Sequence, residues 1–248
     1  MRYLLYFTYS AVFLFYASAF VLRLFDLKRA EYRVGLLALA ANGVCLTLLT
    51  ISSGNLPVFE LFESFLLVTF VLGFLGLFCA ESEESFPDTR VWVWSEILLL
   101  LTITLFSEKS TSPSVYNHND LYIVLFHGFR IVTLSVMLFS SALFIQFRVD
   151  QNRGIPANDR YHKGRNFLLL GSILFLAAEY VGIIWCQNGW GDFWRWSEGF
   201  FQSTLIVLYL MLAFHVPGKN HRSENIRSLL GSMSGFFVLG MILIRSVF

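Results

Sequence analysis

The residues best suited to chemistry in this sequence are ionisable side chains inside long apolar runs. They are Glu60, Glu63, His127, Arg130, Glu179 and His215. Charges in such runs are costly in a membrane, and they are usually paired or functional. His127 precedes Arg130 by three residues, so both side chains project from one face of a helix. An imidazole here either binds a ligand or packs through a hydrogen bond, and both interpretations stay open.

A second unusual feature is the stretch "NGWGDFWRWSEGF" at residues 188–200. It holds Trp190, Trp194 and Trp196, half of the six tryptophans in the chain. Asn188-Gly189 supplies the residues of a turn, so the stretch is predicted to be a loop. Indole faces pack against a flat apolar group or anchor a protein at the membrane interface. The cluster is therefore either a binding surface or an interfacial belt.

Composition decides the class of protein that must position these residues. Hydrophobic residues make up 56% of the chain and charged residues 14%, against about 25% charged residues in soluble domains. The mean hydropathy is +0.63. These values predict an all-α, polytopic integral membrane protein. A net charge of +1 without a basic cluster excludes a nucleic-acid partner, and three distant cysteines indicate neither a disulfide framework nor a metal site.

Eight apolar stretches have about the length needed to cross a bilayer. They lie at about 3–22, 34–53, 58–80, 91–107, 121–147, 167–187, 199–216 and 228–247. The longest connection, 148–166, is predicted to be a solvated loop. We expect a single transmembrane domain over 1–248, with a tryptophan-rich loop at 188–198.

Lysine and arginine counts predict the orientation of the spans. One side of the membrane receives only Arg2, Lys109, Arg195 and Arg245. The other side receives Arg23, Lys28, Arg29, Arg33, Arg90, Arg148, Arg153, Arg160, Lys163, Arg165, Lys219, Arg222 and Arg227. Positively charged loops stay in the cytoplasm, so both termini and the tryptophan-rich loop are predicted to face outward.

The charges predicted in the outer half of the membrane suggest an ion pair. Arg130 is expected to pair with Glu63 or Glu179, because an isolated charge at this depth is expensive. His215 closes the seventh span, roughly 24 Å deeper than the start of that span at 1.5 Å per residue. His127 and His215 are therefore predicted near opposite faces of the membrane.

The segment "WGDFWRWS" resembles the WG-x-x-W-x-W-D signature (the WWD motif) of the haem-handling membrane proteins of cytochrome c assembly. That superfamily includes CcsA/ResC of system II, and CcmC and CcmF of system I. "NLPVFELFESFLLVTF" (55–70) is similar to a Pro-x-x-x-x-hydrophobic-Glu-Ser segment of the CcsA branch, with Glu63-Ser64 in the matching place. His127, 63 residues before Trp190, and His215, at the end of the span after the motif, match the positions of two family histidines. The resemblance covers about residues 55–248.

This resemblance implies a function in cytochrome c maturation. Haem b, bound or in transit, would meet Trp190, Gly191, Trp194, Trp196, Arg130 and Glu63, with His127 and His215 as candidate ligands of the iron. The haem would be presented on the outer face of a bacterial inner membrane to the thiols of an apocytochrome c. The implied partners are a CcsB/ResB-like membrane subunit and a thioredoxin-like thiol reductase, and the assembly would be a holocytochrome c synthase (haem lyase).

Two departures from the family pattern keep a second function open. Ser197 stands where the motif has Asp, and no histidine follows His221, although the family carries an outer histidine after the last span. The alternative is a HemX-like regulator of haem biosynthesis, or a structural subunit of a membrane complex without synthase activity. A transporter is a third class, which the absence of repeat symmetry and of paired broken helices disfavours.

Overall fold

The computed structural model describes residues 2–80, 86–107, 121–191, 198–217 and 221–247. Over these residues the chain forms eight α-helices and no strand, which confirms the all-α prediction. The helices are α1 (Arg2–Leu24), α2 (Lys28–Ser53), α3 (Leu61–Phe78), α4 (Thr89–Phe106), α5 (Leu121–Asn152), α6 (Asn158–Trp190), α7 (Glu198–His215) and α8 (His221–Val247).

The helices have the length and surface of membrane spans. Seven of those described are long and apolar enough to cross a bilayer, and the apolar part of α7, Phe201–His215, is shorter. Large hydrophobic side chains lie on their outer surfaces, among them Leu14, Ile51 and Phe201, which are 64–66% exposed. Such surfaces are stable only against lipid. The chain is therefore a multi-pass membrane protein, as the composition predicts.

The predicted solvated loop over 148–166 is wrong. Helix α5 continues to Asn152 and α6 already begins at Asn158, which leaves a connection of five residues. Two side-chain contacts hold this polar extension. Arg148 donates to the backbone carbonyl of Asn225 at 3.0 Å, and Asp150 pairs with Arg160 across the connection. Hydropathy identifies the part of a helix inside the membrane, but it carries no information about polar turns beyond it.

The tertiary contacts divide the chain into two units, Met1–Asn119 and Asp120–Phe248. In the first unit, α1 packs against α2 and α4, and α3 packs against the same two helices. In the second unit, α5 packs against both α6 and α8, and α8 also contacts α7. Each unit thus has its own core, formed by four helices.

Small residues bring α5 and α8 close together in the second unit. The hydroxyl of Ser141 accepts a hydrogen bond from the backbone N–H of Gly235 at 2.9 Å. A Cβ atom at Gly235 would lie 2.7 Å from Cα of Leu138, so only glycine fits there. Close backbone approach at small residues is how helices associate without a hydrophobic driving force between them. This contact fixes α5, the helix that carries His127 and Arg130.

Candidate functional site

Arg130 connects three helices of the second unit. Its Nη2 atom forms an ion pair with Glu179 on α6, and it also donates to Oγ of Ser203 on α7 at 2.8 Å. The side chains of Arg130 and Glu179 are 22% and 19% exposed. Of the two carboxylates proposed as partners of Arg130, Glu179 is confirmed.

Aromatic rings surround the guanidinium group of Arg130. Its central carbon lies 4.5 Å from the ring centroid of Phe126 and 5.9 Å from that of Phe175. Such contacts stabilise a cation that has lost part of its hydration. The Nε atom of Arg130 is buried, and none of the described residues accepts a hydrogen bond from it. Part of the Arg130 side chain is nevertheless exposed, so an anionic ligand can approach the guanidinium while Glu179 and Ser203 hold it in place.

His127 lies on the same helix, three residues before Arg130, and its side chain is half-buried. Its ring is 5.3 Å from that of Phe126, and Phe126 in turn lies 6.0 Å from Trp185 on α6. The structure thus brings an imidazole, a guanidinium and two aromatic rings together at the beginning of α5. The helical spacing of His127 and Arg130 indicated half of this arrangement, but nothing in the sequence pointed to Phe126 or Trp185.

The beginning of the tryptophan-rich stretch is helical. Helix α6 continues to Trp190, so the turn predicted at Asn188-Gly189 does not form there. The helix ends at Gly191, which has a left-handed backbone with φ of 69° and donates its N–H to the carbonyl of Gln187. A glycine at this position terminates a helix at little steric cost. The side chain of Trp190 and the whole of Trp194 and Trp196 lie outside the described residues, so their packing stays a prediction.

His215 lies at the other end of the second unit from His127. Helix α7 runs unbroken from Glu198 to His215, about 25 Å at 1.5 Å per residue, and Ser203 near its start contacts Arg130. Nδ1 of His215 is 2.9 Å from the carbonyl of Met211. Because a carbonyl only accepts, Nδ1 carries the proton, and a neutral ring then has its lone pair on Nε2. Metal-binding histidines are commonly oriented in this way.

Glu63 belongs to the first unit, where its side chain is buried in the first turn of α3. The preceding residues are held by Ser64, whose hydroxyl donates to the carbonyl of Val58 at 3.0 Å. Arg130 has its carboxylate partner, Glu179, inside its own unit. A direct part of Glu63 in cofactor binding stays a prediction.

A buried group of charges in the first unit was not predicted from the sequence. Arg23 donates from Nε and Nη2 to the two oxygens of Asp88, at 2.9 and 2.6 Å. Arg90 pairs with Glu31 at 3.3 Å, and Glu31 also accepts from the indole N–H of Trp94 at 2.8 Å. The sequence patterns predicted Arg23 and Arg90 only as loop charges. Asp88, shortly before the predicted span at 91–107, was nevertheless a sign of a helix N-cap.

The buried charges of the first unit provide a comparison for the unpaired Nε of Arg130. Nε of Arg90 is also buried without an acceptor among the described residues, yet Arg90 is only 10% exposed and its partner Glu31 is fully buried. An unpaired Nε therefore does not identify a ligand site by itself. At Arg130 it coincides with partial exposure and a neighbouring imidazole, and that combination identifies the candidate site.

Glu96 is the remaining unusual ionisable residue of the first unit. It is 2% exposed on α4, and neither carboxyl oxygen has a hydrogen-bond partner among the described residues.

Comparison of the chain with protein-family models and with curated proteins found no match. The functional argument therefore depends on the site itself and on the motif resemblance.

Proposed function

We propose that the chain binds haem at the beginning of α5 and presents it for covalent attachment to an apocytochrome c. The observation that carries this proposal is the placement of His127 beside Arg130, whose partly exposed guanidinium is oriented by Glu179 and Ser203. A candidate iron ligand, His127, and a candidate anion-binding group, Arg130, thus occupy one face of α5. The aromatic contact between Phe126 and Trp185 lies next to them.

The residues present fit the chemistry of haem. Haem is a flat apolar ring with an iron that takes axial imidazole and with two carboxylates on one edge. His127 would supply the imidazole, and the guanidinium of Arg130 would supply a charge-assisted donor for a carboxylate. Phe126 and Trp185 provide apolar faces beside them. When bound, the haem supplies the vinyl groups that react with cysteine thiols, and the protein holds and orients it.

The tryptophan-rich stretch supports the same assignment. Gly191 ends α6 with a left-handed residue, so the chain leaves the helix just before Trp194 and Trp196. The resemblance to the WWD motif assigns these indoles to the haem face. On the positive-inside rule the stretch faces outward, where an apocytochrome c would meet it. The proposed setting is the bacterial inner membrane, with a CcsB/ResB-like subunit and a thioredoxin-like reductase as partners.

His215 is proposed as the ligand of a second, deeper haem position. Its Nδ1 is held by the carbonyl of Met211, which orients Nε2 for coordination. Because α7 separates it from Ser203 by most of the helix length, His215 and His127 do not act on one iron within this unit.

The absorption spectrum of the detergent-purified protein, before and after dithionite, tests the proposal. His127→Ala should abolish or shift the Soret band, and His127→Gly should regain it when imidazole is added, because free imidazole replaces the missing ligand. His215→Ala should leave the haem at His127 largely intact and should remove only the absorbance of a haem at the deeper position. His162→Ala, at an exposed position near the start of α6, is the matched control. A wild-type spectrum and haem content in His127→Ala would rule out the assignment.

The alternative, a HemX-like regulator or a structural subunit, is favoured by Ser197, which stands where the WWD motif has Asp. Coexpression with a CcsB/ResB-like subunit and a reporter apocytochrome c separates the two functions. Covalent haem on the reporter supports a part in the synthase. Haem binding without covalent attachment supports the alternative.

A further inference from the structure

The second unit contains a cavity at the end where α5 and α7 terminate and α6 and α8 begin. Its volume is small, about 30 Å³. Two arginines line it, Arg165 from α6 and Arg227 from α8, and the rings of Phe144, Tyr161 and Phe214 form much of the remaining wall. Two cations beside aromatic rings indicate a site for an anionic group with an apolar neighbour.

Arg227 is held in a fixed position at this cavity. Its Nε and Nη2 atoms donate to the carbonyl of Val216, at 3.0 and 2.8 Å, just after α7 ends. The acceptor in this contact is a neutral backbone carbonyl, which orients the guanidinium. A guanidinium placed in this way binds a phosphate with little loss of side-chain entropy.

Arg165 faces outward beside the same cavity. Its side chain is exposed, and the described residues include none that forms an ion pair or a hydrogen bond with it. Ring contacts fix the neighbouring wall: Tyr161 lies 5.7 Å from Phe144 and 5.3 Å from Phe147. The two positive charges therefore lie at a structured cavity and not on a mobile surface.

The surface of α6 below Arg165 shows what kind of anion fits. Leu169, Ile173 and Leu176 follow Arg165 at helical spacing, and they are 50%, 55% and 53% exposed. Residues at i, i+4, i+8 and i+11 share one face of a helix. This face therefore has a cation at its polar end and a continuous apolar strip along the span. A phospholipid has the same order of groups, a charged headgroup followed by acyl chains.

We propose that Arg165 and Arg227 bind the phosphate of an anionic phospholipid, whose acyl chain lies along Leu169, Ile173 and Leu176. The lipid belongs to the leaflet on the arginine-rich side, which is the cytoplasmic leaflet under the positive-inside rule. A zwitterionic headgroup carries its own cation beside the phosphate and is bound more weakly. The site is separate from the haem proposal, since it lies at the end of the unit marked by His215 and does not involve His127.

Native mass spectrometry of the detergent-purified protein, titrated with phosphatidylglycerol or phosphatidylcholine, tests the proposal. Phosphatidylglycerol should bind more tightly than phosphatidylcholine. Arg165→Gln should weaken its binding about fivefold, because one surface arginine contributes about 1 kcal/mol toward an anionic lipid. Arg153→Gln, which removes the same charge from an exposed position outside the cavity lining, should leave the affinity unchanged.

Since Arg165 is exposed and has no described partner, its replacement should preserve the fold, and circular dichroism of the variant checks this. Equal affinity of Arg165→Gln and the wild type for phosphatidylglycerol would overturn the proposal. So would equal binding of the two lipids by the wild type. Inorganic phosphate at millimolar concentration should not displace the lipid, and displacement would identify a soluble anion as the ligand instead.

Discussion

Two ion pairs of similar composition have very different surroundings. Arg23 and Asp88 in the first unit are 1% and 0% exposed, and they are joined by two parallel hydrogen bonds. Arg130 and Glu179 in the second unit are 22% and 19% exposed, and a single nitrogen of the arginine contacts the carboxylate. The first arrangement uses both oxygens of its carboxylate, whereas in the second one carboxylate oxygen and two guanidinium nitrogens lie outside the ion pair.

The difference separates a structural contact from a candidate site. A buried bidentate pair fixes helices, because removing one partner leaves an uncompensated charge with no access to water. A pair with one contact leaves its other polar atoms available to a ligand. His127 lies beside the open pair and not beside the closed one. We therefore assign the closed pair to the fold of the first unit and the open pair to ligand binding.

The largest effect is expected at the closed pair. Asp88→Ala should lower the free energy of unfolding by about 3–5 kcal/mol, because it leaves the buried Arg23 without its bidentate partner. Thermal or denaturant unfolding in a fixed detergent, followed by circular dichroism, measures this. Asp26→Ala is the matched control. It removes another carboxylate that contacts Arg23, but one that is 56% exposed, so the loss should be about 1 kcal/mol or less. Equal losses in the two variants would contradict the distinction.

A second prediction concerns buried carboxyls with and without partners. Glu96→Leu should stabilise the protein by about 1–3 kcal/mol, since it removes a buried polar group for which no partner is described. The same substitution at Glu31, which accepts from Trp94 and pairs with Arg90, should destabilise the protein. Unfolding midpoints of both variants give the comparison. A lower midpoint for Glu96→Leu would indicate a stabilising partner for that carboxyl.

The smallest change in stability is expected at the open pair. Arg130→Gln should lower the free energy of unfolding less than Asp88→Ala does, because an amide can still bond to Glu179 or Ser203. The haem content per protein, measured from the Soret band, should nevertheless fall severalfold, and Arg130→Lys should restore part of it. Parallel loss of stability and haem, as a structural pair would give, would place Arg130 in the same class as Arg23.

Local sequence features determined the class and much of the architecture. Apolar runs locate the helices that cross the membrane, because every bilayer span must satisfy its backbone internally. The spacing of His127 and Arg130 places them on one helix face. Residues 148–152 and 158–166 were predicted wrongly, because their helices continue in a polar environment. There the stabilising contacts, such as Arg148 with Asn225, come from another part of the chain.

Only the tertiary structure decided which charges meet. Arg130 had two candidate carboxylates by depth alone, and the packing of α5 against α6 places it on Glu179. Arg23 and Asp88 are 65 positions apart and lie outside every recognised motif, yet Nη2 of Arg23 and Oδ2 of Asp88 are only 2.6 Å apart. The energy of an ion pair depends on separation in space and on exclusion of water. Neither quantity is a property of sequence spacing, so helix packing had to determine both.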